Sequence, residues 1–371
     1  MVKYIDILYP KYLDENMQRT IGGVQTYISD LIHVFESNGM SVRVVQLAEK
    51  DFVHKINEQS CVVGFSVNEK NDPKRYQVLY DHSIRTAEKV EELLTLFATD
   101  IMIPRRINSR SIAIQHGIFW DVPNSKKRPG YRRILSKTRH AEALINRINK
   151  VDCLVCVDYN FLNWYRTQVE CVTNTICAIP NYTALGPIHV KENDVIKIIF
   201  ARRFFEYRGT RVFTNVAKKI LDRYSNVHIT VAGSGPDEAW MKDMLKSYDN
   251  VSFIQYKSEE SLTIHADKNI AVVPSLGSEG TSLSLLEAMA SQCAVVCTNV
   301  GGMTNIVLNG YNGIMVSPGD EDALLEELVA LIESPEKTKR LAKNGYETVA
   351  QGFSREVWAQ NWLKVVRNFT K

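Results

Sequence analysis

Long apolar runs are missing from this 371-residue chain. No stretch approaches the roughly 18 uninterrupted apolar residues of a bilayer span, so no membrane-crossing helix is expected. The opening MVKYIDILYP lacks the extended apolar region and small-residue cleavage site of a secretory signal. It reads as a first buried strand, and a cytoplasmic protein is expected. Cysteine is sparse as well: seven residues, an odd number scattered along the chain, fit reduced thiols better than a disulfide framework. Cys153, Cys156, Cys171 and Cys177 have loosely zinc-like spacing. The first two, however, lie inside the apolar run VDCLVCV, where cysteine behaves as a small hydrophobe, so no metal site is expected there. A large excess of one charge is also absent, since 45 Lys and Arg against 42 Asp and Glu leave a formal +3. That balance gives no reason to expect nucleic acid as a partner. Low-complexity segments and short repeats are not visible.

What is present is alternation. Short β-rich apolar runs at Tyr4 to Leu8, Ser41 to Gln46, Cys61 to Phe65, Ser111 to Gln115 and Cys153 to Val157 are interleaved with helical patterns. Those helical patterns run from Thr26 to Ser37 and from Ser83 to Phe97. The scheme repeats with strands at Ile196 to Phe200, His228 to Ala232, Val251 to Ile254, Ile270 to Val273 and Ala294 to Cys297. Two α/β units with parallel sheets are therefore expected, joined through the polar stretch Ile179 to Asn193. The carboxyl ends of such strands line the crevice where ligands of these sheets bind.

Charge is unevenly placed despite the small net value. Nine cations, Lys126, Lys127, Arg128, Arg132, Arg133, Lys137, Arg139, Arg147 and Lys150, face a single acid, Glu142. The stretch reads either as a solvated helix face or as a contact for something anionic, such as a membrane surface or a phosphorylated acceptor.

Four features of the second half converge on a phosphate-bearing ligand. Arg202 and Arg208 follow the strand Ile196 to Phe200, where cations at a strand-to-helix loop can clamp a diphosphate. Gly233-Ser234-Gly235-Pro236 permits a tight turn and close backbone approach after the next strand. The third and most specific is PSLGSEGTSLSLLEAMA, with Glu279 and Glu287 eight residues apart and Gly280, Thr281 and Ser282 between them. A helix starting near Thr281 would turn free backbone amides toward an anion, while the two carboxylates accept hydrogen bonds from ribose and sugar hydroxyls. The fourth is Val300-Gly301-Gly302, leading into NGYNGIMVSPGD and a helical pattern from Glu321 to Ser334.

From Ile196 to Ser334 the order of these motifs resembles the nucleotide-binding half of the family 4 retaining glycosyltransferases (glycosyl transferases group 1), which have the GT-B fold. The first half resembles that family more loosely. Gly22-Gly23-Val24 looks like its glycine loop near the donor phosphates, His116-Gly117 like its histidine near the reacting sugar, and Ile179-Pro180-Asn181 like its interdomain signature. The resemblance implies two Rossmann-like domains facing an interdomain cleft: residues 1–183 on the acceptor side, joined by a C-terminal helix 356–371 packing back, and 184–355 on the nucleotide-sugar side. It places Arg202 and Arg208 on the diphosphate, Glu287 on the ribose, Glu279 on the transferred sugar and His116 near the carbon under attack. Gly22, Gly23, Gly233, Gly280, Thr281 and Ser282 are the expected donor-binding positions, and Trp120 and Asp121 in HGIFWD the acceptor-side ones. Arg208 stands where lysine is commoner, which changes the hydrogen-bond fork. Tyr182 stands where glycine is usual.

The implied reaction moves a glycosyl group, with retention, from a nucleotide-diphosphate sugar to an acceptor hydroxyl, in polysaccharide, O-antigen or glycolipid synthesis. No Asp-x-Asp occurs where a metal-bound diphosphate would need it, so no divalent ion and no cofactor are expected. Two rival readings stay open. One is a nucleotide-sugar epimerase on the same scaffold, and the other a non-catalytic protein that binds sugar nucleotides or anionic surfaces. The partners expected are a nucleotide-sugar donor and a sugar, polysaccharide or lipid-linked acceptor. Peripheral contact with an anionic membrane through Lys126, Lys127, Arg128, Arg132 and Arg133 is a further expectation.

Overall fold

A computed structural model describes residues 2–20, 22–118, 130–169, 175–188, 194–277 and 279–369. The expected segments Trp120, Asp121 and Lys126 to Arg128 lie outside the described residues, as does Cys171.

The first half begins with β1 (Tyr4–Leu8), α1 (Gly23–Glu36), β2 (Ser41–Ala48), β3 (Phe52–Lys55), β4 (Ser60–Ser66) and α2 (Asp72–Arg85). It continues with β5 (Leu93–Phe97), β6 (Arg110–Gln115), α3 (Gly130–Ile148), β7 (Cys153–Cys156), α4 (Tyr159–Arg166) and β8 (Thr175–Ala178). These strands form one sheet in the order β3-β4-β2-β1-β5-β6-β7-β8, parallel except at the edge strand β3. Edge placement suits β3, whose residues alternate between half-buried and exposed, whereas a central parallel strand is covered on both faces.

The second half is built from β9 (Ile196–Ala201), α5 (Thr210–Arg223), β10 (Val227–Ala232), α6 (Glu238–Leu245), β11 (Val251–Ile254) and α7 (Ser261–His265). Then come β12 (Ile270–Val273), α8 (Leu283–Ala290), β13 (Ala294–Thr298), β14 (Ile314–Val316), α9 (Glu321–Ile332), α10 (Pro335–Gly352) and α11 (Arg355–Arg367). Its sheet runs β11-β10-β9-β12-β13-β14, parallel throughout. Order reverses beside β9, the kind of switch point at which α/β sheets bind ligands.

One expected element is corrected. The stretch Ser83 to Phe97 is not a helix: α2 ends at Arg85, a 3-10 turn spans Val90–Glu92, and Leu93–Phe97 is the strand between β1 and β6. All five residues of LLTLF are buried, and a short apolar run covered on both faces is what a central parallel strand requires. The helix expected near Thr281 begins two residues later, at Leu283. Thr281 is held by contacts to Val157 and Asn181 of the first half, and Ser282 stands as the N-cap, so neither enters the helical turn.

α11 returns to the first half. Trp358, Trp362 and Val366 are buried in one cluster with Ile28, Leu31 and Phe35 of α1. Burying two tryptophans supplies several kcal/mol at roughly 25 cal/mol per Å². Among the described residues, no helix is long and apolar enough to cross a membrane.

Candidate active site

The site is built outward from the carboxyl ends of β9 and β12. Arg202 follows β9 directly and is buried, its guanidinium donating to Ser275 Oγ at 2.7 Å and to Glu279 Oε1 at 2.5 Å. Arg208 closes a 3-10 turn at Glu206–Arg208 and donates to the same Oε1, which also accepts from Ser275 Oγ at 2.5 Å. Gly209 makes this turn possible. Its φ is +81°, and a β-carbon there would lie 1.9 Å from the Pro274 carbonyl oxygen. Burial pushes the Glu279 carboxyl up, but Arg202, Arg208 and Ser275 outweigh it and hold the group below its ordinary range. Two guanidiniums thus meet one carboxylate, leaving one positive charge in excess in a wall where Arg202 and Glu279 are each 5% exposed. A buried charge of this kind is costly unless offset, and an anion is its natural partner.

The N-terminus of α8 adds to that preference. Its N-cap is Ser282, whose side chain makes no capping bond to the helix, so among the described residues no N-cap side chain occupies the first-turn amides. On this short helix Glu287 is partly buried and accepts from Ser261 Oγ at 2.6 Å. Burial raises the carboxyl to about 7, against the weaker opposing pull of that hydroxyl. Tyr256 senses both sides of the site: burial first, then Glu287, raise its phenol to about 12, while Arg202 opposes them.

Glycines bring the backbone close around these groups. A β-carbon on Gly233, at φ +136°, would meet the Arg202 carbonyl oxygen at 2.0 Å. Gly301, at φ +53°, would meet that of Glu279 at 1.9 Å, and the Gly302 amide donates to the same oxygen at 2.9 Å.

The first half contributes the facing wall. His116 follows β6, and its Nε2 lies 2.8 Å from the Ala98 carbonyl oxygen. A carbonyl only accepts, so Nε2 carries the proton and neutral His116 keeps its lone pair on Nδ1. Burial lowers the imidazole pKa, the Ala98 bond opposing it, which favours the neutral form. Its ring meets Tyr27 edge-on at 5.6 Å, and the Tyr27 hydroxyl accepts from both Trp358 Nε1 (3.3 Å) and Trp362 Nε1 (2.9 Å). Gly22 and Gly23 open α1 one turn before Tyr27; a β-carbon on Gly23 would meet nothing within 4 Å.

The two walls touch at a glycine seam. A β-carbon on Gly280 would lie 3.1 Å from Val157 Cγ2 and 3.2 Å from the His116 carbonyl oxygen, and Gly117, at φ +113°, approaches the Gly280 amide. Thr281 Oγ1 donates to the Val157 carbonyl, Asn181 Nδ2 donates to the Thr281 carbonyl at 3.0 Å, and the Tyr159 amide donates to Asn305 Oδ1 at 3.1 Å. Asp158 caps α4 through Oδ1, which accepts from the Phe161 amide at 2.8 Å, while its buried Oδ2 has no hydrogen-bond partner among the described residues.

The structure therefore gathers Arg202, Arg208 and Glu279 into one cluster, sets Gly233 against it, and places Gly280 beside His116. Glu287 lies on α8, which follows Glu279, while Gly22 and Gly23 open α1, whose Tyr27 abuts His116, and among the described residues no contact ties these two glycines to the cluster. Sequence reasoning did not single out Ser275, Tyr256, Ser261, Asp158 or Tyr27. Ser275, four residues before Glu279, and Asp158, at an N-cap position before YNFLNWY, carried local signals; the others are gathered only by the fold.

Residues 184–348 match the family model described as glycosyl transferases group 1. The capsular polysaccharide biosynthesis glycosyltransferase CapM of Staphylococcus aureus is 27% identical over 187 residues, 49% of this chain and 49% of that protein. An uncharacterized glycosyltransferase of Methanocaldococcus jannaschii is 25% identical over 191 residues, 50% of this chain and 46% of that one. The chain thus spans about half the length of these relatives. Among solved structures, sucrose-phosphate synthase from Thermosynechococcus elongatus superposes with a TM-score of 0.77 at 17% identity, covering 99% of both chains. The fold is GT-B, and the motif resemblance over the second half is upheld.

Proposed function

We propose that this chain, whose residues 184–348 match the glycosyl transferases group 1 model, is a retaining, metal-independent glycosyltransferase of the hexosyltransferase kind. Residues 184–355 would hold the nucleotide-diphosphate sugar, and residues 1–183 with helix 356–371 would form the acceptor side. The observation that carries this reading is the excess positive charge of Arg202 and Arg208 over Glu279, set at the open N-terminus of α8. A diphosphate offsets that charge. Glu287, farther along the same helix, is suited to the ribose hydroxyls, and Glu279 to the sugar.

In the reaction the donor's bond from anomeric carbon to phosphate oxygen breaks, and the acceptor oxygen bonds to the same face of that carbon. The acceptor's proton passes to the departing phosphate oxygen. Arg202, Arg208 and the α8 amides stabilise the growing phosphate charge, a contribution that electrostatic preorganisation makes large in a water-poor cleft. His116, neutral with Nδ1 as acceptor, would take a hydrogen bond from a sugar hydroxyl. The glycine seam lets the two walls close on the donor and limit hydrolysis.

The likeness to CapM makes a polysaccharide or lipid-linked acceptor the favoured class, and the cationic stretch with Lys126, Lys127, Arg128, Arg132 and Arg133 fits an acceptor held at an anionic surface. The test is NMR of the product formed from a nucleotide sugar and such an acceptor, with and without EDTA. Retained anomeric configuration and undiminished turnover in EDTA are expected. An isomerised donor without transfer would instead establish the epimerase, and donor binding without any turnover a binding protein.

A further inference from the structure

We infer that the first half of α3 is a docking face for an anionic lipid bilayer. The inference deepens the proposed reading, on which it rests for its consequence: the acceptor would be carried by a lipid in that bilayer.

The second half of α3 is tied to the body. Leu144 and Ile148 are buried, and Arg147 pairs with Asp100 at 3.2 Å. Among the described residues, the first half has no such anchor. Tyr131, Ile134 and Leu135 are 67%, 66% and 48% exposed. Positions i, i+3 and i+4 share one helix face, so three large apolar side chains form a single stripe directed at solvent. Scattered apolar residues need no explanation, but a contiguous stripe on a helix marks a contact surface.

The flanks say what the contact is. At 100° per residue, Arg132 and Arg139 fall on one border of the stripe and Lys137 on the other, all three exposed. Arg132 also donates to the Tyr131 hydroxyl at 3.1 Å and lies over its ring, 5.8 Å from the centroid, which seats the cation beside the aromatic edge. Glu142 is the only acid from Lys126 to Lys150. An apolar stripe bordered by arginine and lysine, with a tyrosine at its end, is the pattern of a helix lying in a bilayer interface. Three side chains alone give marginal partitioning, and the cations supply the second signal through anionic headgroups. A second copy of the chain would set Arg132, Lys137 and Arg139 against their own counterparts, which like-charge repulsion opposes. An anionic polymer would have no use for the apolar stripe.

Flotation of the full chain with vesicles of phosphatidylcholine alone, or mixed with phosphatidylglycerol, tests this without any nucleotide sugar, so its failure is distinct from failure of the transferase reading. Binding to the mixed vesicles only, weakened by salt, is expected. Arg132→Gln with Arg139→Gln should weaken it about thirtyfold. Ile134→Ser with Leu135→Ser should weaken it about tenfold at every salt concentration. Both variants alter exposed positions, so unchanged melting temperatures are expected and confirm that they fold. Absence of binding to the mixed vesicles, or binding that neither variant reduces, overturns the inference. Self-association of the parent that Ile134→Ser with Leu135→Ser abolishes, without vesicle binding, overturns it in favour of a second copy.

Discussion

Glu279 and Glu287 stand eight residues apart, yet their surroundings push their carboxyls in opposite directions. Glu279 is fixed as a carboxylate by two guanidiniums. Its removal strands buried Arg202 beside Arg208, so Glu279→Ala should cost about 3–5 kcal/mol in denaturant unfolding, as for other broken buried pairs. Glu287 has the reverse character. Its folded-state value of about 7 exceeds the ordinary 4.5, so its contribution to stability is fully present below pH 4.5 and is lost as pH rises through 7. Stability of the parent should fall across that window, and Glu287→Gln should flatten the fall, as read from melting temperatures at successive pH values. Donor binding should show the opposite trend. Ribose hydroxyls are held best by the ionised carboxylate, so affinity should rise through pH 7 in the parent and stay level in Glu287→Gln. The loop EGTSLSLLEAMA made both carboxylates legible, because the glycine, hydroxyl residues and apolar tail fall in one short stretch. Their divergence was not legible, since it depends on Arg202 and Arg208, brought in from elsewhere against Glu279, and on the burial that the fold imposes on Glu287.

At the scale of elements, α1 and α11 meet at Tyr27, whose hydroxyl accepts two indole N–H groups while its ring edge abuts His116. Tyr27→Phe leaves both indoles unpaired in a buried cluster and should cost about 1–3 kcal/mol of stability. It should also lower kcat through His116. The check is a double-mutant cycle, in which Tyr27→Phe has little further effect on kcat once His116→Ala is present. Sequence periodicity made α1 legible and FSREVWAQNWLKVVRNF legible as a helix. Their meeting, more than 300 residues apart in the chain, follows only from the fold. The misread strand β5 has a similar cause. LLTLF is apolar on both faces and therefore carries no alternation, and it follows a helical pattern closely enough to be absorbed into it.

For the whole molecule, the proposed transfer depends on two halves closing on one another. The seam is closest at glycine: a β-carbon on Gly280 would lie 3.1 Å from Val157 Cγ2 and 3.2 Å from the His116 carbonyl oxygen, both in the first half, so each neighbour would have to give. Gly280→Ala should therefore act as a wedge. Small-angle scattering of the variant with donor should show a larger radius of gyration than the parent, with kcat lowered at least about tenfold by the resulting misplacement. The two-unit α/β plan was legible from alternating strands and helices, but the seam was not, because a glycine reveals its neighbour only in three dimensions. The central claim is that the wall between Arg202 and Glu287 binds a nucleotide-diphosphate sugar. Thermal unfolding with UDP-, GDP-, ADP- and dTDP-sugars tests it most directly, with Glu287→Ala as control. One nucleotide class should stabilise the parent by about 2.7 kcal/mol at one hundred times its Kd, and the variant far less. No stabilisation by any of them at millimolar concentration, or equal stabilisation of parent and variant, would contradict the assignment.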